Sequence, residues 1–331
     1  MKRSLFIAAI AVTATGISCN REKLCVPDSQ LPETRTTVTF SLTGDAGIQT
    51  KAALSTSNEA KVNTVQIFAF KSDGLLDAYT SSTQSSGIQM QCSTGEKDFV
   101  AIVNAPDLSS VSGRDDLMKS ATKLSDNSLT GFVMSGSVTA TVSASANIEI
   151  PVKRIVARIG IGSITAEFKS SAYAAMDFII TRIYVINVAG NTDYEVTASP
   201  SDWYNKLKYE KSDLDAMLYD DITDTKVTKD KPYTTADYFY VYPNPTASDT
   251  QTKPFSARFT RLVIETTLGG TTYYYPISIG NIERNKTYTV SSLKVTRPGS
   301  TDPDIPVSSE DCTFSIRIEP WESGSDIDIT I

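Results

Sequence analysis

The feature that most constrains the fold is a strict alternation of apolar and polar residues in short runs. Residues 37–42 place Val38, Phe40 and Leu42 on one face and hydroxyl residues on the other. A period of two is the signature of a strand with one buried face. Similar runs rich in Val, Ile, Thr and Tyr recur along the chain, separated by Gly, Asn, Asp and Ser. The pattern predicts a mainly β chain built from antiparallel sandwiches.

Further predicted strands follow the first one along the whole chain. They cover residues 64–70, 88–92, 97–104, 131–142, 147–152, 155–164, 178–188, 237–242, 257–267, 271–279, 287–295, 313–319 and 325–331. Residues 114–124 and 203–218 are the segments with a helical pattern. A Lys153-Arg154 pair falls near the middle of the 331 residues, and the strand pattern restarts there. We therefore predict two tandem antiparallel β-sandwich domains, residues 36–152 and 153–296, with the first strand at 36–43.

The N-terminal residues predict export and a lipid anchor. Lys2 and Arg3 precede a short apolar run that ends in Ser18-Cys19. Such a run is a secretory signal, too brief to span a bilayer as a helix. We interpret residues 1–18 as a lipoprotein signal peptide, Cys19 as the acylated residue and residues 19–35 as a tether. The alternative is an ordinary secretory signal with a chance cysteine.

The composition excludes several classes of function. The chain has no histidine, which removes the commonest general base and histidine-ligated zinc. Its net charge of −7, without a long basic run, disfavours nucleic acid as a partner. With Cys19 acylated, the scattered Cys25, Cys92 and Cys312 match no metal motif and do not indicate a disulfide framework. We predict a non-enzymatic protein without a cofactor or metal.

The C-terminal residues predict a separable element. Residues 297–311 are polar and contain prolines, which is typical of a linker. Two alternating runs follow, with Phe314, Ile316 and Ile318 in one and Ile327, Ile329 and Ile331 in the other. Because a chain end normally frays, such regular patterning indicates strands that fill a groove. We expect them to contribute little to the core of their own domain.

Several motifs, in this order, resemble those of the fimbrillins. They are the signal with its cysteine, Thr50-Lys51-Ala52, the strand at 62–70, residues 92–95 running into 99–104, residues 153–159, residues 281–288 and Glu319-Pro320-Trp321. The resemblance is strongest to the major stalk subunits (FimA type) of the type V pili of Bacteroidales. It spans nearly the whole chain apart from residues 189–252.

The resemblance implies a structural pilus subunit that polymerises by donor-strand exchange. The expected precursor is lipid-anchored in the outer membrane and is cut by a trypsin-like protease after a basic residue. The matching bond is Lys51-Ala52, where the family more often has arginine, and Arg35 is a fallback site that would leave the strand attached. Loss of the strand carrying Val38, Phe40 and Leu42 would open a groove for the C-terminal strands of a neighbouring subunit. The implied partners are copies of this chain and other pilins, with host glycans or proteins as further candidates.

Other readings of the same residues stay open. One is a tip or anchor pilin of the same superfamily, and another is a lipid-anchored glycan-binding surface protein. Tyrosines at 238, 240 and 273–275 could stack on sugars, although aromatic strand residues are more often core pairs. The acidic residues at 213, 215, 220, 221 and 224 lack the spacing of a calcium loop, and we expect them on a solvated helix face or loop. A carboxylate-based glycosidase is the remote enzymatic alternative.

Overall fold

A computed structural model describes residues 34–44, 56–250, 255–308, 311–321 and 328–329. The predicted mainly β class is confirmed. The elements of the first half are β1 Arg35–Gly44, α1 Thr56–Glu59, β2 Val65–Lys71, β3 Leu76–Ser82, β4 Ser86–Ser93, β5 Gly95–Val103, α2 Arg114–Lys119, β6 Ala121–Lys123, a 3₁₀ turn Leu124–Asp126, β7 Met134–Val142 and β8 Ala146–Arg154.

The elements of the second half are shorter and more numerous. They are β9 Ala157–Ile161, β10 Ile164–Ala166, α3 Ser171–Ala174, β11 Phe178–Ile186, β12 Val188–Ala189, β13 Asn191–Asp193, β14 Trp203–Tyr204, α4 Asp215–Leu218, β15 Tyr219–Lys226, β16 Asp237–Val241, β17 Thr260–Leu268, β18 Thr271–Ile279, β19 Lys286–Val295, β20 Cys312–Pro320 and β21 Asp328–Ile329.

The first sheet has the order β3-β2-β5-β7-β8-β1-β4 and folds over on itself. Phe40 on β1 and Phe99 on β5 are not on neighbouring strands, yet their rings lie 5.1 Å apart. They pack in a first core with Val38, Leu42, Val65, Ile67, Ala69, Ile88, Met90, Cys92, Ala101, Val103, Met134, Val142, Ile148, Ile150 and Val152. The strand that opens the chain's fold therefore faces β5 across this core.

The strand β2 is buried on both faces. Ile67 and Ala69 point into the first core, whereas Phe68 and Phe70 belong to a second one. This second core also takes in residues of the other half of the chain, among them Ile159 of β9. A strand covered on both sides reads as a continuous apolar run, which explains why residues 65–70 show no alternation.

Two sheets form the second half around the second core. One has the order β16-β9-β19-β20-β21, with β10 also paired to β19, and the other has the order β15-β11-β17-β18. The hairpin between β17 and β18 turns on Gly269 and Gly270, both with positive φ, as a two-residue turn of this kind requires. Most pairs are antiparallel, but β1 with β8, and β9 and β10 with β19, run parallel. A period of two cannot distinguish the two directions.

The sheets change over between Arg154 and Ala157, close to the boundary expected near residue 152. The two halves nevertheless share the second core and the β6–β13 pair, and residues 35–331 cluster as a single unit. The division into two tandem domains therefore stays a prediction.

Residues 76–82 form β3, a strand that was not predicted because its side chains are half-exposed and do not alternate. Three predictions of local structure are wrong. Residues 114–124 are helical only as far as Lys119, where α2 ends, and β6 and a 3₁₀ turn follow. Residues 203–218 contain β14 and only the short helix α4. Asp220, Asp221 and Asp224 lie on β15, at the edge of its sheet, rather than on a helix or loop. Charges on an edge strand oppose pairing with other chains.

Candidate strand-exchange site

The strand β1 lies between two partners. It pairs antiparallel with β4, from Arg35 opposite Ser93 to Ser41 opposite Ser86, and parallel with β8, from Val38 to Gly44. Its backbone is thus hydrogen-bonded on both edges, and only β4 lies beyond it in the sheet. Taking β1 away would expose donors and acceptors on both neighbours at once.

The inward face of β1 is fully packed. Val38 and Phe40 are 0% exposed and Leu42 is 7% exposed. The ring of Phe40 meets that of Phe99 edge to face. Burial of such side chains contributes about 1.5 to 3 kcal/mol each. The three residues expected on the removable strand are therefore interior residues in the unprocessed chain.

Each end of β1 is fixed by a specific residue. Gly44 has φ +77°, and a Cβ there would meet the Val152 carbonyl oxygen at 2.5 Å, so only glycine fits where the strand ends against β8. At the other end, the Arg35 guanidinium donates to the Gln91 carbonyl at 2.8 Å and the Asp77 carbonyl at 3.2 Å. Arg35 therefore lies inside the paired strand.

Other predicted site residues of the N-terminal part lie outside the described residues. These are the lipidation residue Cys19 and the processing bond Lys51-Ala52. Their roles stay predictions. Of the N-terminal site residues, the structure brings together only Arg35, Val38, Phe40 and Leu42, all on β1.

The strand β20 is part of its own sheet, which corrects the expectation that it contributes little to the core. It pairs with β19 from Cys312 opposite Val295 to Pro320 opposite Lys286. Ile316 is 6% exposed, while Phe314 and Ile318 are half-buried against the second core. The expectation rested on the prolines in residues 297–311. Prolines indicate a loop, but a loop need not detach the strand that follows it.

The second predicted donor run is described only in part. Ile329 lies on β21, opposite Ile316 of β20. Ile327 and Ile331 lie outside the described residues. The described pairing makes β21 the edge strand of its sheet.

The predicted linker 297–311 is also anchored in the fold. Asp304 is 5% exposed, and its Oδ1 accepts from Arg261 Nε at 3.1 Å and from Asn187 Nδ2 at 2.9 Å. Arg258 forms an ion pair with the other carboxylate oxygen. Because a buried carboxylate needs such partners, this stretch is held to the second half rather than free.

A buried cluster around Glu59 joins four distant parts of the chain. Glu59 ends α1 and is 7% exposed. Its Oε1 accepts from Tyr240 OH at 2.6 Å and from Arg158 Nη1 at 3.2 Å. Its Oε2 accepts from the same Arg158 nitrogen at 3.0 Å and from Trp321 Nε1 at 3.1 Å.

The backbone and the aromatic rings complete the cluster. Arg154 Nε donates to the Glu59 carbonyl at 3.0 Å, and its guanidinium lies 4.7 Å from the Trp321 ring. The Trp321 ring also stacks on Tyr240 at 5.7 Å. Glu59 was not among the predicted site residues, and the one signal for it in the sequence is a tryptophan in a β-rich tail, because a buried indole N–H needs a partner.

The charged residues near the changeover between the sheets form ion pairs and hydrogen bonds within the fold. Arg158 forms an ion pair with Glu59. Glu283 forms a local ion pair with Lys286 at 2.9 Å. Arg284 instead reaches the first sheet, where its guanidinium donates to the carbonyls of Lys153 and Arg154. These contacts are structural.

The tyrosines considered for sugar stacking are largely occupied. Tyr240 and Tyr275 are buried, and Tyr275 OH donates to the Arg297 carbonyl at 2.7 Å. Tyr238 lies beneath the Arg158 guanidinium at 4.7 Å. These three tyrosines therefore pack in the core or against the residues of the Glu59 cluster.

The two described cysteines are free and lie in different cores. Cys92 belongs to the first core and Cys312 to the second. Burial raises the pKa of Cys312 to about 12 and also raises the pKa of Cys92. Both thiols are therefore protonated and shielded at neutral pH.

Among the described residues, no group of three or more acidic or cysteine side chains could hold a metal ion. The same residues include no helix long and apolar enough to cross a membrane.

Comparisons with known proteins agree with the resemblance seen in the sequence. Residues 36–160 match the sequence model of the major fimbrial subunit protein (FimA) family. A search of curated protein sequences finds no match. A fimbrilin from Porphyromonas gingivalis is 15% identical, with a TM-score of 0.61 over 87% of this chain and 98% of that one.

Two further solved structures share the fold. A proposed cell adhesion protein from Bacteroides eggerthii is 19% identical, with a TM-score of 0.66 over 88% of this chain and 97% of that one. The tip fimbrial protein Mfa3 from Porphyromonas gingivalis, with a C-terminal truncation, is 13% identical, with a TM-score of 0.57 over 87% and 100%. The resemblance to fimbrillins is thus confirmed: residues 36–160 match the FimA major fimbrial subunit family, and the chain has the fold of a fimbrilin.

Proposed function

We propose that this chain is a shaft subunit of a surface pilus that polymerises by donor-strand exchange. The observation that carries the proposal is the position of β1, bonded to β4 on one edge and to β8 on the other. It is followed by the segment 45–55, which holds the Lys51-Ala52 bond. A cut in that segment severs β1 from the rest of the fold without breaking any other described strand.

Removal of β1 would create an acceptor groove that is stabilised when another strand fills it. The groove would uncover the apolar residues that Val38, Phe40 and Leu42 now cover, together with two backbone edges. Three such side chains contribute roughly 5 to 9 kcal/mol before entropic costs, and strand addition restores the hydrogen bonds. A strand from a neighbouring subunit satisfies both requirements.

The donor proposed here is the segment beyond Trp321. Ile327, Ile329 and Ile331 repeat the spacing of the inward residues of β1. Phe314, Ile316 and Ile318 have the same spacing, but their strand is paired with β19 over its whole length. We therefore assign donation to the last strand and a structural role to β20.

The cellular setting follows the fimbrillin resemblance. In this proposal Cys19 carries the lipid that holds the precursor on the outer membrane, and a trypsin-like protease releases the subunit at Lys51. The partners are copies of this chain and other pilins on a surface fimbrium, and no reaction is assigned to the protein. The match to the FimA family supports assembly into fimbriae.

A tip or anchor role is the alternative within the superfamily. The fold alone does not separate the roles, because it is shared with both a fimbrilin and a tip fimbrial protein. The alternating isoleucines of the C-terminal segment favour the shaft role, since a tip subunit has no need of a donor strand.

The test is the N-terminal sequence of the subunit in fibres sheared from cells. The proposal predicts a start at Ala52. Assembled fibres whose subunits all begin at acylated Cys19 would rule out the processing step.

A further inference from the structure

The Glu59 cluster connects two segments on which the proposed assembly depends. Its carboxylate ends α1, the first described element after the segment with the Lys51-Ala52 bond. Its partner Trp321 directly follows β20. The two residues are separated by 262 positions but share a hydrogen bond of 3.1 Å.

We propose that Glu59 is a lock that holds the end of β20 in its own subunit, so that β20 opens only when the contacts to α1 break. The indole donates its N–H to a buried carboxylate that is also paired with Arg158. Withdrawal of Trp321 would leave the buried Glu59 carboxylate with one donor fewer, which is unfavourable because a buried charge needs its hydrogen-bond partners.

The tryptophan has further contacts that would be lost together with this bond. Its backbone N–H donates to the Asn285 carbonyl at 3.1 Å. Its ring lies 4.7 Å from the Arg154 guanidinium and 5.0 Å from that of Arg158. These contacts all involve Trp321, so moving this residue would break them together. They couple β20 to α1, although the two elements do not pair directly.

The lock exists in the described fold irrespective of how the protein functions. Its consequence for assembly rests on the proposed function: the chain would remain fixed up to Trp321, and only the residues beyond it could be donated. The start of the processed chain and the base of the donated segment would then be held together by one carboxylate.

Hydrogen exchange of the full, unprocessed chain tests the lock without any assembly step. Trp321→Phe removes the indole donor and keeps an aromatic ring, whereas Glu59→Gln removes the charge and keeps the shape. We expect amides of residues 312–319 to exchange about tenfold faster in Trp321→Phe and about 100-fold faster in Glu59→Gln. Amides of β5 should change much less.

The matched control is Glu283→Gln, which makes the same chemical change at an exposed ion pair near β19. It should leave exchange of β20 unchanged. Unaltered exchange of β20 in both cluster variants would overturn the lock, and so would an equal acceleration in β20 and β5, which would mean that the cluster supports only global stability. Neither result bears on whether β1 is exchanged, so failure of the lock is distinct from failure of the proposed function.

Discussion

Phe40 on β1 and Phe99 on β5 meet edge to face across the first core, with ring centroids 5.1 Å apart. Both rings are 0% exposed. Under the proposed function the two residues have different fates, because processing removes Phe40 and keeps Phe99. This difference makes them a matched pair for testing strand removal.

Phe40→Ala should destabilise the precursor by about 3 to 5 kcal/mol, as buried phenylalanine truncations do. It should leave the stability of assembled fibres unchanged, because the strand is absent from them. Phe99→Ala should weaken both forms. Thermal unfolding of precursor and fibres measures this, and equal destabilisation of fibres by both variants would mean that β1 stays in the polymer.

Lys51→Ala should trap a lipidated monomer on the membrane, since β1 then stays paired with β4 and β8. The measurement is the size of cell-surface material on gels, with electron microscopy of the fibres. Lys61→Ala is the control, because Lys61 lies in the turn after α1 and should be dispensable. Abundant normal fibres from Lys51→Ala would show that this bond is not the switch.

Two truncations should behave differently. Deletion of residues 322–331 should leave a folded subunit that accepts a strand but cannot donate one. Deletion of residues 313–331 also removes buried Ile316 and Trp321 and leaves one edge of β19 bare, so it should unfold or aggregate. Thermal unfolding of both proteins separates them, and a parent-like transition for the longer deletion would show that β20 is dispensable.

Asp237 predicts a pH dependence of stability. This residue begins β16, and burial, together with neighbouring Asp220, raises its pKa to about 6, although Tyr233 OH donates to it at 2.5 Å. An unfolded aspartate has a pKa of about 3.9, so between pH 4 and 6 the folded state binds more protons. Stability from this group therefore rises as the pH falls from about 7 to about 4, by roughly 2 to 3 kcal/mol.

Asp237→Asn should abolish that contribution. Denaturant unfolding at pH 7 and pH 5 measures it, with exposed Asp221→Asn on β15 as the control. The stabilisation that Asp237 adds on going from pH 7 to pH 5 should be lost in Asp237→Asn and kept in Asp221→Asn. An unchanged difference would show that Asp237 is not the titrating group.

Much of the fold was predictable because its signals are local. The alternation of Val38, Phe40 and Leu42 indicates a half-buried strand, and these residues are buried. The half-exposed strand β3 has no such period and was missed. Pairing direction and partner were beyond reach, because the parallel neighbour of β1 is β8, more than a hundred residues away.

The least predictable parts depend on residues that meet only in three dimensions. Glu59, Arg158, Tyr240 and Trp321 form one cluster, yet each reads singly as an ordinary surface or core residue. Asp304 likewise anchors the predicted linker to the fold, because it forms ion pairs with Arg258 and Arg261. Periodicity carries no information about such contacts.

Reactivity of the Cys92 thiol tests strand exchange most directly. Cys92 lies on β4 opposite Thr36 of β1 and is fully buried, whereas Cys312 lies in the second core and serves as an internal reference. With Cys19→Ser and Cys25→Ser in the precursor, labelling can be compared in the precursor, the processed monomer freed of its N-terminal fragment, and the polymer. Strand exchange predicts that Cys92 is protected in the precursor, reactive in the processed monomer and protected again in the polymer, while Cys312 stays protected throughout. Protection of Cys92 in the processed monomer, or equal reactivity in monomer and polymer, would contradict it.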